Sequence, residues 1–412
     1  MTDFNSHPHT DQSGDVAVIH NGIIENFDVI KKSLQARGHK FKSETDTEVL
    51  AHLIGVYLEK SKDIYEAVRL ALKDVVGAYA IGVIYKNEPG KVIVAKKHSP
   101  LVVGIGKGET FIASDAPAFI KYTNKVVYLE DNEIGVLTSN SQTFTDLEGT
   151  AKPKIVKELS LDPQQMEKGE YAHFMLKEIF EQPFAIQDTL QGRITKTLDG
   201  VQFAEMKLSD KELLKIENIT FVSCGTSWHA ALVGEYFLER YAKIPTVVEY
   251  AAEFRYREPL VNEKNLIIAI SQSGETADTL AAIAEAKSRG SKALAICNVE
   301  GSTIVREADA VIYTHAGPEI GVASTKAFTT QLTVLYLFSI YIGVLRGALT
   351  KEKAREMIEA LHQIPNKIQQ VLGKAESIKA IALRYVDKKN ALYLGRGVGF
   401  PIALEGALKL KE

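Results

Sequence analysis

The sequence predicts an α/β multidomain chain, with an α+β sandwich in front and parallel β/α units behind. Two observations carry this. Up to about Ser160, two helical stretches are followed by short, closely spaced strands rich in valine and isoleucine. After Asn218, the apolar runs ITFVSCG, PTVVEY, NLIIAI, KALAICNV and AVIYTH alternate with helical stretches. That alternation is the pattern of a doubly wound parallel sheet.

Taken in order, DVAVIH reads as a strand and NGIIENF as a turn entering a helix whose Phe27, Ile30 and Leu34 share one face. Thr45 and Glu48 form a capping-box signature ahead of EVLAHLIGVYLEK. AYAIGVIY, KVIVAKK, LVVGIG and ETFIAS, separated by NEPG, HSP and KG, predict antiparallel strands. From about Thr143 to Glu170 the chain turns polar and irregular, which predicts a linker. YAHFMLKEIFEQPFAIQDTL then reads as an amphipathic connecting helix. Near Ala391, ALYLGRGVGFPIALEGALKLKE reads as the first strand and helix of another β/α unit, which breaks off at Glu412.

At 412 residues the chain is long enough for two or three cores. A net charge of −3 gives no broad footprint for nucleic acid or an anionic membrane. The two cysteines, Cys224 and Cys297, form neither a disulfide framework nor a C-x-x-C pair, which fits a reducing, cytoplasmic setting. The apolar run Leu332–Leu345 falls short of the roughly 20 residues a spanning helix needs, so a core helix is expected.

The chemistry concentrates in strand-to-helix loops. SQSGET, Ser271 to Thr276, brings hydroxyls, an amide and Gly274 to a predicted helix start. Unpaired N–H groups there favour an anion, and Gly274 would allow close backbone approach. No G-x-x-x-x-G-K-[ST] pattern occurs, so the loop suits a small phosphorylated metabolite, or is an ordinary helix cap. CGTSWHA, beginning at Cys224, occupies the equivalent place after ITFVS. Parallel strands put both loops at one carboxyl edge. EIGVASTKAFTTQL adds Ser324, Thr325 and Lys326. GRGVGF lacks the third glycine of a dinucleotide fingerprint, Phe400 standing in its place. Glu405, Lys409 and Glu412 fall on one helix face, either a solvated ion-pair face or part of a site.

Taken together, CGTSWHA, SQSGETADTL, EIGVASTKAFTTQL and ALEGALKLKE resemble the sugar isomerase (SIS) domains of the glutamine–fructose-6-phosphate aminotransferase family. NSHPHTD, VIHNGIIENF, SETDTEV and FIASDAPAF resemble its class-II glutamine amidotransferase domain, an Ntn-type αββα sandwich. The resemblance runs along essentially the whole chain in one order. It implies a partial amidotransferase domain over 1–160, a linker and helix over 161–209 and a first SIS domain over 210–350. A connecting helix over 351–375 and the start of a second SIS domain over 376–412 would follow.

The activity it implies passes ammonia from glutamine to fructose 6-phosphate, giving glucosamine 6-phosphate and glutamate. No cofactor, metal, nucleic acid or membrane is expected, and a cytoplasmic homodimer is. By resemblance, Ser271, Gln272, Ser273 and Thr276 bind the sugar phosphate, and Thr226, Ser227, Val322 and Ser324 contact the sugar. Glu412 would be the base moving a proton between C1 and C2, with Lys409 and Glu405 beside it on the catalytic face. Asn21 and Gly22 match an oxyanion-hole pair, and His7 and Asp46 glutamine-binding positions. His7-Pro8-His9 could instead be a metal pair, but no third ligand cluster accompanies it.

The family's glutaminase uses a cysteine at the mature N-terminus, whose amine activates the thiol. This sequence begins MTDFNSHPH, which matches inside that domain. The family's ring-opening histidine and C-terminal lysine would lie past Glu412. The expectation is a chain truncated at both ends that neither hydrolyses glutamine nor completes the isomerisation. A second reading is a phosphosugar sensor, and a third an SIS-domain deglycase or isomerase. An amidotransferase half argues against both, and the Glu405–Lys409–Glu412 face against the sensor.

Overall fold

The computed structural model describes residues 3–159 and 166–412. Two compact units divide the chain, Met1–Gln164 and Gln165–Glu412. The expected boundary at 160/161 lies outside the described residues.

The first unit runs β1 (His9–Thr10), β2 (Val16–Ile24), α1 (Phe27–Ala36), α2 (Asp46–Ser61) and α3 (Ile64–Lys73). Strands β3 (Gly77–Tyr85), β4 (Val92–Lys97), β5 (Val102–Ile105), β6 (Thr110–Ala113) and β7 (Lys125–Tyr128) follow. Then come β8 (Glu133–Leu137), β9 (Gln142–Asp146) and β10 (Lys157–Glu158). One antiparallel sheet has the order β1-β2-β3-β4-β8-β9 and the other β10-β7-β5-β6. Val18, Val83, Val49 and Ile54 pack the helix side of the larger sheet, while Val94 on its other face joins Val103 and Val127 of the smaller.

Local signals mislead in three places. NGII is not a turn: β2 continues to Ile24, paired with β3 as far as Ile24↔Gly77. The Ile24 N–H is taken by the Asp46 carboxylate at 2.8 Å, and Gly22, at φ +141°, has its missing Cβ where the Ala78 carbonyl lies 2.1 Å away. The capping box at Thr45 is half made. Thr45 accepts the Glu48 N–H, but the Glu48 carboxylate turns to the N–H groups of Lys42 and Ser43. The stretch from Thr143 to Glu158 is not linker, because β9 pairs with β8 and buries Phe144, and β10 pairs with β7.

The second unit opens with α4 (Phe174–Leu190) and α5 (Asp210–Leu213). Then come β11 (Asn218–Ser223), α6 (Gly225–Phe237), β12 (Thr246–Tyr250), α7 (Ala251–Tyr256), β13 (Asn265–Ser271), α8 (Ala277–Ser288), β14 (Lys292–Cys297), α9 (Thr303–Glu307) and β15 (Ala310–Tyr313). The five strands are parallel in the order β12-β11-β13-β14-β15. Every residue of β13 is buried, as a strand covered on both faces requires. The apolar run expected in the core is α10 (Lys326–Leu345), whose Val334, Leu335, Leu337 and Phe338 are fully buried. It is the one helix among the described residues long and apolar enough to cross a membrane, and most of it is inside this unit.

Beyond α10 two expectations fail. The connecting helix over 351–375 is broken into α11 (Lys351–His362) and α12 (Ile364–Leu372), the latter opening with Pro365 in its first turn, and a third helix, α13 (Ala375–Leu383), begins at its end. ALYLG forms no strand: Leu392 and Leu394 are 91% and 87% exposed, because no neighbouring strand pairs with them. The final helix, α14 (Gly399–Lys411), packs against α6.

Candidate functional site

In the second unit, adjacent strands β11 and β13 end at Ser223 and Ser271 on the carboxyl edge of the sheet. Parallel strands whose following helices pack on the sheet leave this edge open to ligands. A pocket of about 200 Å³ lies here. It is lined by Thr226 and Ser227 from α6, by Ser271, Gln272, Ser273 and Thr276, by Val322 and Ser324, and by Glu412. All eight expected sugar-phosphate residues therefore meet one expected base. Cys224 and Thr279 also line it and were not singled out from the sequence.

The SQSGET loop is built from within. The Ser271 hydroxyl accepts the Gly274 N–H at 2.9 Å and lies 3.4 Å from the Thr276 hydroxyl. Thr276 is the N-cap of α8, yet its side chain makes no capping bond, so its hydroxyl and the first amides of α8 are open to a ligand. Glu275, the one acid in the loop, is turned away, its carboxylate accepting the N–H and hydroxyl of Thr303.

Gly274 needs correction. Its N–H is spent on Ser271, and at φ +70° its missing Cβ would lie 2.2 Å from the Ser302 hydroxyl and 2.8 Å from the Cys297 sulfur. The glycine fits α9 and β14 against the loop; it does not clear space for a ligand.

On the facing helix, Glu405 is 5% exposed. Its Oε1 accepts the Thr226 hydroxyl at 2.9 Å and its Oε2 lies 2.6 Å from Nδ1 of the buried His229. Lys409 Nζ lies 3.4 Å from Glu405 and 2.9 Å from Glu412, and donates to the Thr226 hydroxyl at 3.2 Å. Thus Glu405, Lys409 and Glu412 form one chain of ionic contacts that runs from a buried carboxylate to the exposed Glu412, the member that lines the pocket. The Ser227 hydroxyl is fixed from below by Gln331 Nε2 at 3.0 Å. His229 was missed from the sequence, although it stands three residues after Thr226, on the same helical face.

The third loop differs from expectation. Val322 is 98% exposed and Ser324 reaches the pocket, but Lys326 is buried and pairs with Glu181 at 2.8 Å. The loop is held by two buried carboxylates: Glu178 accepts the N–H groups of Ile320 and Gly321, and Glu319 those of Thr325 and Ala327. Burial pushes the Glu319 carboxyl above its ordinary value, with the nearby charge of Glu178 acting in the same direction.

In the first unit, a pocket of about 110 Å³ is lined by His7, His20, Asn21 and Ser114 among others. Asn21 Nδ2 donates to the Ser114 hydroxyl at 2.8 Å. Antiparallel alternation, fixed by the Glu25 N–H to Val76 bond, turns the Gly22 N–H away from β3. Strand β1 pairs only with Ala17 and Val18, so that N–H lies beyond its reach. Asp46 is not part of this pocket's lining; its carboxylate serves the Ile24 N–H. His7 and His20 both meet the Thr47 hydroxyl at 3.0 Å, and His9 meets that of Thr45 at 3.1 Å. Nε2 of His7 and of His9 thus each face a threonine, and no group of three metal-ligating side chains occurs among the described residues.

Comparison with known proteins follows the same division. Residues 2–121 match the glutamine amidotransferase domain family and residues 212–341 the SIS domain family. The glutamine–fructose-6-phosphate aminotransferase (isomerizing) of Caldanaerobacter subterraneus subsp. tengcongensis is 49% identical over 411 residues, covering 100% of this chain and 67% of that protein. The enzyme of the same name from Methanosarcina acetivorans is 46% identical over 417 residues, covering 99% of this chain and 68% of that protein. A solved C-terminal domain of glucosamine-fructose-6-phosphate aminotransferase from Francisella tularensis superposes with a TM-score of 0.57 at 42% identity, over 60% of this chain and 68% of that one.

Proposed function

Because the chain belongs to the glutamine–fructose-6-phosphate aminotransferase (isomerizing) family, we propose that its sites are built for that family's glutamine-dependent amination and isomerisation, with the 200 Å³ pocket as its fructose 6-phosphate site. The observation that carries this is the meeting, in one small pocket, of a neutral hydroxyl-and-amide cradle with the carboxylate of Glu412, which Lys409 pairs at 2.9 Å. The cradle suits a phosphate; the pair suits proton transfer on the sugar it holds.

The phosphate sits at the start of α8, taking the hydroxyls of Ser271, Ser273 and Thr276, the Gln272 amide and open backbone N–H groups. The sugar chain runs toward Thr226 and Ser227, with Val322 and Ser324 closing the side. Ammonia replaces the C2 carbonyl oxygen, which leaves as water. Glu412 then takes a proton from C1 and returns one to C2, while the imine nitrogen gains a proton and the C1 hydroxyl gives one up, converting the ketose imine to the 2-amino aldose. Lys409, at 2.9 Å, orients that carboxylate.

In the first unit, the Asn21 side-chain amide and the outward Gly22 N–H stabilise the oxyanion formed on the glutamine amide. His7 and Asp46 hold the amino acid's polar end. Neither cysteine of this chain is assigned a step there: both are in the second unit, and burial raises both thiols. The working assembly is a cytoplasmic homodimer.

The test is calorimetric titration with glucosamine 6-phosphate. The unmutated chain should bind it. Ser271→Ala with Thr276→Ala should weaken binding about a hundredfold, two charge-assisted hydrogen bonds being lost. Equal binding by both proteins, or none by the unmutated chain, sinks the assignment.

A further inference from the structure

We propose that His229 is a positioning residue for the proton transfer: it occupies Glu405 so that Lys409 is left to Glu412. This rests on the site reading above and adds a residue to it.

Helix α14 buries only Pro401 and Glu405, so its seat on α6 includes a carboxylate taken out of water. A buried carboxylate must be paired. Glu405 has three partners: His229 Nδ1 at 2.6 Å, the Thr226 hydroxyl at 2.9 Å and Lys409 at 3.4 Å. The first two are short, the third long. Lys409 instead stands 2.9 Å from Glu412. Its ammonium has two carboxylates to choose from and sits nearer the more exposed one, because each oxygen of the buried one already holds a closer partner, the hydroxyl on Oε1 and the imidazole on Oε2.

Remove the imidazole, and the buried Glu405 carboxylate has one donor fewer. The nearest cation is Lys409, which would swing onto it. Glu412 would lose the partner that orients it, and the Thr226 hydroxyl would lose the Lys409 bond at the sugar end of the pocket. Phosphate binding, set by Ser271 to Thr276 on the other loop, would be untouched.

The experiment compares the full chain with His229→Leu, His229→Asn and the double variant His229→Leu with Glu405→Gln. Asparagine places an amide donor near the Nδ1 position; the double variant removes the competing charge. Crystal structures locate Lys409 Nζ. NMR in deuterium oxide follows deuterium entry at C1 of fructose 6-phosphate, and calorimetry gives the affinity for glucosamine 6-phosphate.

In His229→Leu, Lys409 should close on Glu405 and leave Glu412. Deuterium entry should fall about tenfold or more while affinity changes by no more than about twofold. His229→Asn should restore the exchange to within about threefold, and the double variant should return Lys409 to Glu412. The proposal is overturned if Lys409 stays on Glu412 in His229→Leu, or if the double variant fails to return it. Should His229→Leu not fold, Lys409 leaving Glu412 in His229→Asn overturns it equally. Absence of phosphosugar binding by the unmutated chain would sink the site reading alone, since the Lys409 positions still decide this one.

Discussion

Glu178 and Ile320, 142 residues apart in sequence, are joined by a hydrogen bond of 2.6 Å from the backbone N–H to the carboxylate. The same oxygen accepts the Gly321 N–H at 3.0 Å. Gly321 has no room for a side chain, its missing Cβ lying 2.5 Å from the other Glu178 oxygen. The carboxylate therefore moulds the loop that delivers Val322 and Ser324 to the pocket.

Glu178→Ala should strand two partly buried donors and destabilise the second unit by about 2–4 kcal/mol, with weaker phosphosugar binding. Glu178→Gln keeps an acceptor and should lose less than half of that. Urea midpoints of the two variants check the order; Gln as harmful as Ala would mean that charge, not hydrogen bonding, shapes the loop.

Gly274→Ala should damage the SQSGET loop without touching a ligand. A positive φ for a non-glycine residue and contact with Ser302 and Cys297 together should cost about 2–3 kcal/mol. Ser302→Ala with Gly274→Ala removes the 2.2 Å clash and should recover part of the loss. Thermal melting of the single and double variants measures it, and no recovery would place the strain in the backbone and the Cys297 contact rather than in the Ser302 hydroxyl.

How much of this was legible follows from where the information lies. The five parallel strands and their loops are local patterns, and topology alone put CGTSWHA and SQSGET on one edge. ALYLG carries the same apolar signature as a strand, but a strand exists only with a partner beside it, and none pairs with it among the described residues. NGII looked like a turn because Asn-Gly is one in isolation; nine register pairs with β3 override it. Gly274 was visible, its reason was not, since Ser302 is 28 residues away. His229 and Glu178 act through burial and distant partners, and Glu319 through a loop shape that brings Thr325 and Ala327 back to it; no spacing rule encodes these.

The first unit should lose stability in mild acid. His9, His20 and His52 are all held below the ordinary 6.5, in each case first by burial. A depressed histidine leaves the unfolded chain with more bound protons below 6.5. Stability is therefore full above that pH and falls as pH drops below it toward the folded values. Hydrogen exchange of first-unit amides between pH 7.5 and 5.5, corrected for intrinsic rate, should show protection falling. His52→Gln should flatten the trend, and an unchanged slope would remove His52 as a contributor.

The two cysteines should report the pocket separately from the core. Burial pushes Cys297 up to about 11, and it lies fully inside the sheet. Cys224 is also raised, first by burial, but it lines the pocket at the carboxyl edge of the sheet and is only half-buried. Only the thiolate reacts quickly, so at pH 7.5 both should be slow toward iodoacetamide, Cys224 measurably faster than Cys297. Saturating glucosamine 6-phosphate should slow Cys224 by about fivefold or more through occlusion, and leave Cys297 unchanged. Mass spectrometry of the labelled peptides separates the two. Protection of Cys297 alone would mean the ligand tightens the core without entering the pocket, and protection of neither would place the phosphosugar elsewhere.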